Sequence, residues 1–133
     1  MPNAQRVRQL ISMVEAGKFV EAIEEFYAPQ ASMQENVQTP RHGLETLVAG
    51  ERRVLASFKE VRTLPVETFF VDGDRSVIRW VFEFVRHDGQ SFRQDELAYQ
   101  RWSGDKIVEE RFYYDPSQTK VTNPSSASAP AAP

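Results

Sequence analysis

Few residue types in this chain could carry out chemistry on another molecule. The sequence contains no cysteine, so thiolate chemistry and disulfides are excluded. The two histidines, His42 in a predicted loop and His87 in a predicted hairpin turn, have no Asp or Glu at metal-ligand spacing. We therefore expect no metal site and no cofactor. The serines and threonines show no Ser-His-Asp pattern, which leaves the carboxylates as candidates.

A carboxylate becomes chemically useful when it lies in apolar surroundings. Loss of water disfavours the ionised form and raises the pKa, which suits the group to transfer a proton near neutral pH. Glu35 lies in a short predicted strand over residues 31–37, and Glu96 lies in the middle of a long one over residues 90–102. The elements around these strands decide what the two acids meet.

Three long stretches in the second half predict an antiparallel meander. Residues 75–86, 90–102 and 106–114 are strand-like, and the turns at 87–89 and 103–105 that join them are too short for a parallel crossover. Large apolar side chains alternate along the first strand, so they form a row on one face of the sheet. The members of this row are Ile78, Trp80, Phe82 and Phe84.

The first half supplies three amphipathic helices to cover that row. The first follows Asn3, a good N-cap, and ends at Gly17; the second stops at Pro29; the third begins after a loop at residues 39–43. Residues 61–71 predict a strand bent at Pro65. The expected fold class is α+β, with a curved, mostly antiparallel sheet wrapped around three N-terminal helices.

Composition limits the partners. The chain has 133 residues, with 41% hydrophobic and 26% charged residues, which fits one domain over residues 1–116. Residues 117–133 are rich in Ser, Pro and Ala and predict a disordered tail. The net charge of −3 is spread without a basic run, so no nucleic acid is expected. No stretch reaches membrane-spanning length and no signal peptide is evident, so we expect no membrane and a cytoplasmic location.

The order of elements resembles the nuclear transport factor 2-like superfamily, and its SnoaL-like branch in particular, which includes polyketide cyclases and ketosteroid isomerases. The resemblance covers Val7 to Pro116. It is carried by EFYAPQA at residues 25–31, PRHG at 40–43 and GDKIVEERFYYD at 104–115. The resemblance implies a cone-shaped fold with a pocket between helices and sheet, but this superfold serves many functions.

Known chemistries of the superfamily transfer only in part. In ketosteroid isomerases a carboxylate on the first strand is the base, and Glu35 stands at the matching position. The two donors that stabilise the enolate oxygen match Leu10 and Ala98, which cannot donate, so that activity is disfavoured. The positions that activate water in limonene epoxide hydrolases are occupied by other residues here as well. These are Met33, Glu35, Trp80, Phe82 and Phe112.

The resemblance also places Ala98 inward, and alternation then brings Gln94, Glu96, Gln100 and Trp102 to the same face. On the last strand it places Val108, Phe112 and Tyr114 inward. Glu35 and Glu96 are thus the candidate catalytic acids. The alternative is that Glu35 lies in water at the open end of the sheet and that Glu96 pairs with Arg93 or Arg111. The candidate ligand-binding residues are Phe26, Met33, Phe58, Trp80, Phe82, Phe84, Ala98, Phe112 and Tyr114.

Two classes of function remain open. The first is a non-catalytic domain that binds a small apolar or amphipathic molecule in a largely enclosed cavity touching Trp80, Phe82 and Tyr114. The second is an isomerase- or cyclase-type enzyme that uses Glu35 as general base on a cyclic carbonyl compound. An enzyme needs a donor aimed at the developing oxyanion, and the inward residues offer few, so binding is favoured.

The outer face of the sheet predicts a homodimer. A solvated sheet face is normally more polar than this one. Charged residues surround the apolar patch, as at many interfaces, and related folds dimerise through this surface. The patch consists of Val77, Val81, Val85, Leu97, Tyr99 and Tyr113.

Overall fold

The structure is a computed structural model that describes residues 2–120. Three helices come first in the chain: α1 over Ala4–Glu15, α2 over Phe19–Phe26 and α3 over Leu44–Ser57. The Asn3 side chain accepts a hydrogen bond from the Arg6 amide at 2.8 Å and caps α1, and Gly17 follows the helix with a φ of +80°. None of these helices is long and apolar enough to cross a membrane.

Seven strands form one sheet. The strands are β1 over Tyr27–Glu35, β2 over Arg41–His42, β3 over Glu60–Thr63, β4 over Phe69–Asp72, β5 over Arg75–Val85, β6 over Ser91–Ser103 and β7 over Lys106–Tyr113. Their order is β2-β1-β7-β6-β5-β3, and β4 also pairs with β5. Every pair is antiparallel except β1 with β7. The predicted α+β fold class and the predicted meander are therefore confirmed.

Burial divides the sheet into two faces as alternation predicted. On β5 and β6 the buried positions include Ile78, Trp80, Glu96, Ala98 and Trp102, each at most 5% exposed. Their apolar members join side chains of α1, α2 and α3 in one hydrophobic core. The other face of β6 carries Leu97 and Tyr99, which are 47% and 42% exposed.

The start of the sheet differs from the prediction. We expected α2 to continue to Pro29 and a strand to begin at Ala31, but α2 ends at Phe26 and β1 begins at Tyr27. Proline is tolerated in β1 because the pairing with β7 is irregular between Tyr27 and Ser32, where Pro29 lies. The predicted bend at Pro65 is a break between β3 and β4, which both pair with β5.

The end of the domain also differs from the prediction. The predicted tail began at residue 117, but Pro116–Thr119 forms a turn of 3₁₀ helix. Gln118 ties this turn to the sheet, since its amide side chain donates to the Asp95 carbonyl at 3.0 Å and accepts from the Asp95 amide at 2.9 Å. Residues 121–133, the rest of the predicted tail, lie outside the described residues.

Candidate functional site

A cavity of about 150 Å³, partly open to solvent, lies between the helices and the inner face of the sheet. Helices α2 and α3 supply seven of its sixteen lining residues and the strands supply the other nine. Its lining residues are Phe19, Ile23, Met33, Glu35, Arg41, Leu47, Gly50, Glu51, Val54, Leu55, Val61, Phe82, Phe84, Gln94, Glu96 and Phe112. A second cavity of about 70 Å³ shares several of these residues and adds Tyr27, Trp80 and Glu110.

Aromatic rings form the sheet side of the main cavity. Alternation along β5 places Phe82 and Phe84 on the inner face. Phe82 stacks against Trp80 with ring centroids 5.7 Å apart, and Phe84 stacks against Phe92 at 4.9 Å. Such pairs hold the rings in fixed orientations, so this wall is preformed.

Glu35 stands at the end of β1, where 28% of its side chain is exposed. Its Oε2 atom forms an ion pair with Arg41 of β2, and its Oε1 atom lies 3.4 Å from the Tyr114 hydroxyl, which donates to it. Burial and the nearby Glu35 charge raise the pKa of Tyr114 to about 12. The tyrosine therefore stays protonated and can act as a hydrogen-bond donor at neutral pH.

Glu96 lies deeper in the same cavity. Its side chain is 5% exposed, and its Oε1 atom accepts a hydrogen bond from Gln94 Nε2 at 2.6 Å. Burial raises the pKa of Glu96 to about 8, with smaller contributions from the charges of Glu110, Glu35 and Glu51. Glu96 is therefore largely protonated at neutral pH.

A third acid, Glu110 of β7, lines the second cavity in a buried polar network. The Tyr27 hydroxyl donates to Glu110 Oε1, and Gln100 Nε2 donates to Oε2 at 2.6 Å. The chain of hydrogen bonds continues from Ser76 Oγ to Gln100 at 2.5 Å and from the Trp102 indole to Ser76 at 2.8 Å. Burial raises the pKa of Glu110 to about 7, although both hydrogen bonds act in the opposite direction.

A fourth acid, Glu51 of α3, lines both cavities. Burial and the Glu35 charge raise its pKa, while Arg41 lowers it. Arg41 approaches this helix at Gly50, where an added Cβ would lie 3.4 Å from Arg41 Nη1, at ordinary contact distance. The acids and Arg41 are thus the ionisable groups in a largely apolar lining.

The structure brings most of the predicted site residues together. Met33, Glu35, Phe82, Phe84, Glu96 and Phe112 line the main cavity, and Trp80 lines the second. Four others line neither cavity. Phe26 and Ala98 are core residues at 1% and 0% exposed, Phe58 packs on Phe84 and Phe92, and Tyr114 reaches the site only through Glu35.

Two details of the expected site need correction. The predicted cavity was largely enclosed and touched Tyr114, whereas the cavity present is partly open and Tyr114 is not in its lining. Val108 was expected to point inward, but Ile107 is the buried residue, because the pairing of β6 with β7 shifts between Arg101 and Trp102. A bulge of this kind reverses the alternation on one side of it.

Sequence reasoning missed Arg41, Gly50, Glu51 and Glu110. Glu110 had a usable signal, because it is two residues before Phe112 and four before Tyr114, and residues at this spacing share one face of a strand. Glu51 gave no such signal, because two arginines follow it in the sequence and such a charged run is typical of the exposed face of a helix. Among the described residues no three His, Asp or Glu side chains are grouped so that they could hold a metal ion.

Comparisons with known proteins agree with this fold. A family model described as a SnoaL-like domain matches residues 7–110. A candidate SnoaL-like polyketide cyclase from Mesorhizobium loti is 26% identical, with a TM-score of 0.75 over 86% of this chain and 100% of that chain. A candidate from Jannaschia sp. is 14% identical, with a TM-score of 0.73 over 86% of this chain and 89% of the other.

IdmH from Streptomyces antibioticus, also a candidate polyketide cyclase, is 20% identical, with a TM-score of 0.71 over 87% of this chain and 94% of that one. The last two likenesses bear on the fold alone. The search of curated proteins gives no match.

Proposed function

Because the chain belongs to the SnoaL-like domain family, we propose that it binds a small, largely apolar molecule in the cavity between α3 and the inner face of the sheet. The fold suggests a ligand-binding or cyclase/isomerase-type domain, so the family alone does not choose between binding and catalysis. The choice of binding as the primary function rests on the lining of the cavity.

The observation that supports binding is an apolar space with few polar groups. Ten of the sixteen lining residues are apolar or aromatic, and five are polar or charged. Ligand sites typically combine such walls with a small number of placed polar groups. Phe82, which stacks against the buried Trp80, offers an aromatic ring to a planar ligand in this cavity.

Binding can be tested with 1-naphthalenemethanol, a neutral two-ring alcohol. A ligand that binds only the folded state raises the melting temperature as its concentration exceeds the Kd. We expect such a rise for the unmodified protein, and roughly a tenfold weaker Kd for Val54→Trp, because Val54 lines the cavity at the exposed surface of α3. Calorimetric titration gives the Kd of each of the two proteins.

Val37→Trp is the matched control. Val37 is 86% exposed and does not line either cavity, so the same new ring there should leave the Kd unchanged. The absence of any thermal shift with the unmodified protein at millimolar alcohol would contradict the binding proposal.

Proton transfer is a second candidate function, supported by two acids in unlike settings on one cavity. Glu35 is ion-paired with Arg41, whereas burial keeps Glu96 protonated with a pKa of about 8. On a cyclic ketone, Glu35 would remove a proton from the carbon beside the carbonyl, and Glu96 would donate a hydrogen bond to the resulting enolate oxygen.

Exchange of the α-protons of 1-tetralone in D₂O, followed by NMR, tests this reaction. Glu35→Gln should abolish any acceleration because it removes the base, while the Kd of 1-tetralone changes little. Glu96→Gln should slow exchange less, since the amide can still donate a hydrogen bond. An unmodified protein that binds the ketone without accelerating exchange would contradict the catalytic candidate alone.

A further inference from the structure

The charges around the cavity indicate what kind of polar group its ligand carries. We propose that the ligand is an organic monocation, an ammonium group on an apolar body, with the ammonium beside Glu96 and Glu51. This inference rests on the proposed function, because it specifies the chemistry of the molecule that the same cavity binds.

The first argument is the charge balance of the lining. Glu35, Glu51 and Glu96 line the main cavity, and Glu110 adjoins it in the second, against the single cation Arg41. Arg41 is already committed to its ion pair with Glu35. Within residues 2–120, the other three acids form no ion pair.

The second argument is an unpartnered atom. Only 5% of Glu96 is exposed, and of its two carboxyl oxygens only Oε1 accepts a hydrogen bond from a described residue. Its Oε2 atom has no donor among the described residues, and it is not enclosed by protein, so it can be reached from the cavity that the side chain lines. An ammonium N–H from a ligand would supply a donor there.

The third argument is the material of the walls. Phe82, Phe84 and Phe112 line the cavity together with Glu96. The faces of aromatic rings attract cations, and the attraction is stronger where water is excluded. An ammonium group placed among these rings would meet both carboxyl oxygens and ring faces, whereas an anionic group would meet no available cation, because Arg41 already pairs with Glu35.

A metal ion fits these residues less well than an organic cation does. A bound divalent ion takes several oxygen ligands that converge on one point. Among the described residues no three acidic or histidine side chains converge in that way. A monocation needs only one nearby carboxylate, and its apolar body would occupy the rest of the cavity.

The protonation of Glu96 supports the same reading. Burial raises its pKa to about 8, and the charges of Glu110, Glu35 and Glu51 act in the same direction. The hydroxyls of Tyr27 and Tyr114 are the other titratable groups coupled to it. Glu96 thus avoids charge by holding a proton. A cation that binds would displace this proton, so binding should release protons.

Three probes with one two-ring body separate the classes of ligand: 1-naphthylmethylamine, which is a cation, 1-naphthalenemethanol, which is neutral, and 1-naphthoate, which is an anion. Calorimetric titration near pH 8 gives their Kd values for the full chain. We expect the amine to bind roughly tenfold more tightly than the alcohol and the anion to bind more weakly than either.

The pH dependence is a second readout that a purely structural role of Glu96 would not change. The affinity for the amine should rise about tenfold between about pH 6 and about pH 8 as Glu96 ionises, with release of protons to the buffer. The affinity for the alcohol should change little over the same range.

Two variants and one control complete the test. Glu96→Gln and Glu51→Gln should each reduce the preference for the amine over the alcohol, and Glu96→Gln should flatten its pH dependence. Glu45→Gln, an exposed acid of α3 outside the cavity lining, should leave both unchanged. If the alcohol binds as tightly as the amine, the cation inference is overturned and the proposed binding function stands. If no probe binds, both fail.

Discussion

Glu96 and Glu110 lie where water reaches little of either side chain, at 5% and 2% exposed. Neither has a cationic partner among the described residues, so each is stabilised in the interior mainly by remaining protonated. Their hydrogen-bond partners differ in number, since Glu110 accepts two hydrogen bonds and Glu96 accepts one. This difference fits the lower pKa of Glu110, about 7 against about 8.

These acids should make the folded state less stable at alkaline pH. Their folded pKa values lie above the usual 4.5 of glutamate, so the folded protein binds more protons than the unfolded one between about pH 4.5 and 8. The free energy of unfolding should therefore fall as pH rises through this window. Urea unfolding near pH 6 and near pH 8.5 measures the fall.

Glu96→Gln should remove much of that pH dependence, because the amide needs no proton to stay neutral. Glu109→Gln is the control, since Glu109 is an exposed neighbour on β7 and should leave the slope unchanged. If the free energy of unfolding of Glu96→Gln falls with pH as steeply as that of the unmodified protein, Glu96 is not the group responsible.

At this scale the sequence predicted the inward position of Glu96, because strict alternation along a long strand determines which side chains share a face. It could not predict the acid's surroundings. The Arg41–Glu35 pair and the approach of Arg41 to Gly50 depend on how β2 and α3 pack, and no local pattern contains that information.

Helix α3 supplies five of the sixteen residues that line the main cavity. Its buried Gly50 lies in the middle of the helix, where glycine is less favourable than alanine by roughly 0.5–1 kcal/mol. Its φ is not in the left-handed region, and the atom nearest to an added Cβ is the end of the flexible Arg41 side chain, at 3.4 Å. Neither the backbone conformation nor this ordinary contact requires glycine at position 50.

We expect Gly50→Ala to raise the free energy of unfolding by up to about 1 kcal/mol, because the new methyl group would meet Arg41 at ordinary contact distance. Ala49→Gly, an exposed position one residue earlier, should lower the free energy of unfolding by a similar amount. Denaturant unfolding measures both changes. A Gly50→Ala protein less stable than the unmodified one would contradict this prediction.

Elements were predicted best where the hydrophobic period is long and uninterrupted, as in α1 and β5. The errors occur at residues that are compatible with two different local structures. Pro29 ended the predicted helix, yet it lies inside β1 because pairing is irregular there. The bulge between β6 and β7 leaves no sequence signal, because Ile107 and Val108 are both apolar and either could face the core.

On the scale of the whole molecule, the outer face of the sheet carries exposed apolar side chains at its centre. Leu97, Tyr99 and Tyr113 are 47%, 42% and 44% exposed, and Leu97 lies between Tyr113 and Arg79 on the neighbouring strands. Three such neighbours form a patch rather than scattered exposure. We propose, as the sequence suggested, that two chains associate through this face.

Leu97→Glu should yield monomers without unfolding the domain. The new carboxylate would lie opposite Arg79 in a folded chain but would be buried in the interface of a dimer. Val37→Glu, at an 86% exposed apolar residue outside the patch, is the control and should keep the dimer. Sedimentation of the unmodified protein as a monomer at roughly tens of micromolar would exclude the dimer.

The parallel pairing of β1 with β7 has a consequence for how the chain folds during synthesis. β1 follows the second helix, but its main partner is the last strand of the sheet. Ser32, for example, pairs with Glu109 and cannot do so until that residue has been synthesised. Contacts this distant in sequence slow folding. Until residue 113 leaves the ribosome, the edge of β1 that pairs with β7 stays unpaired and can pair with other chains, which leads to aggregation. Translation that stops before Lys106 should therefore release an insoluble chain rather than a smaller folded one.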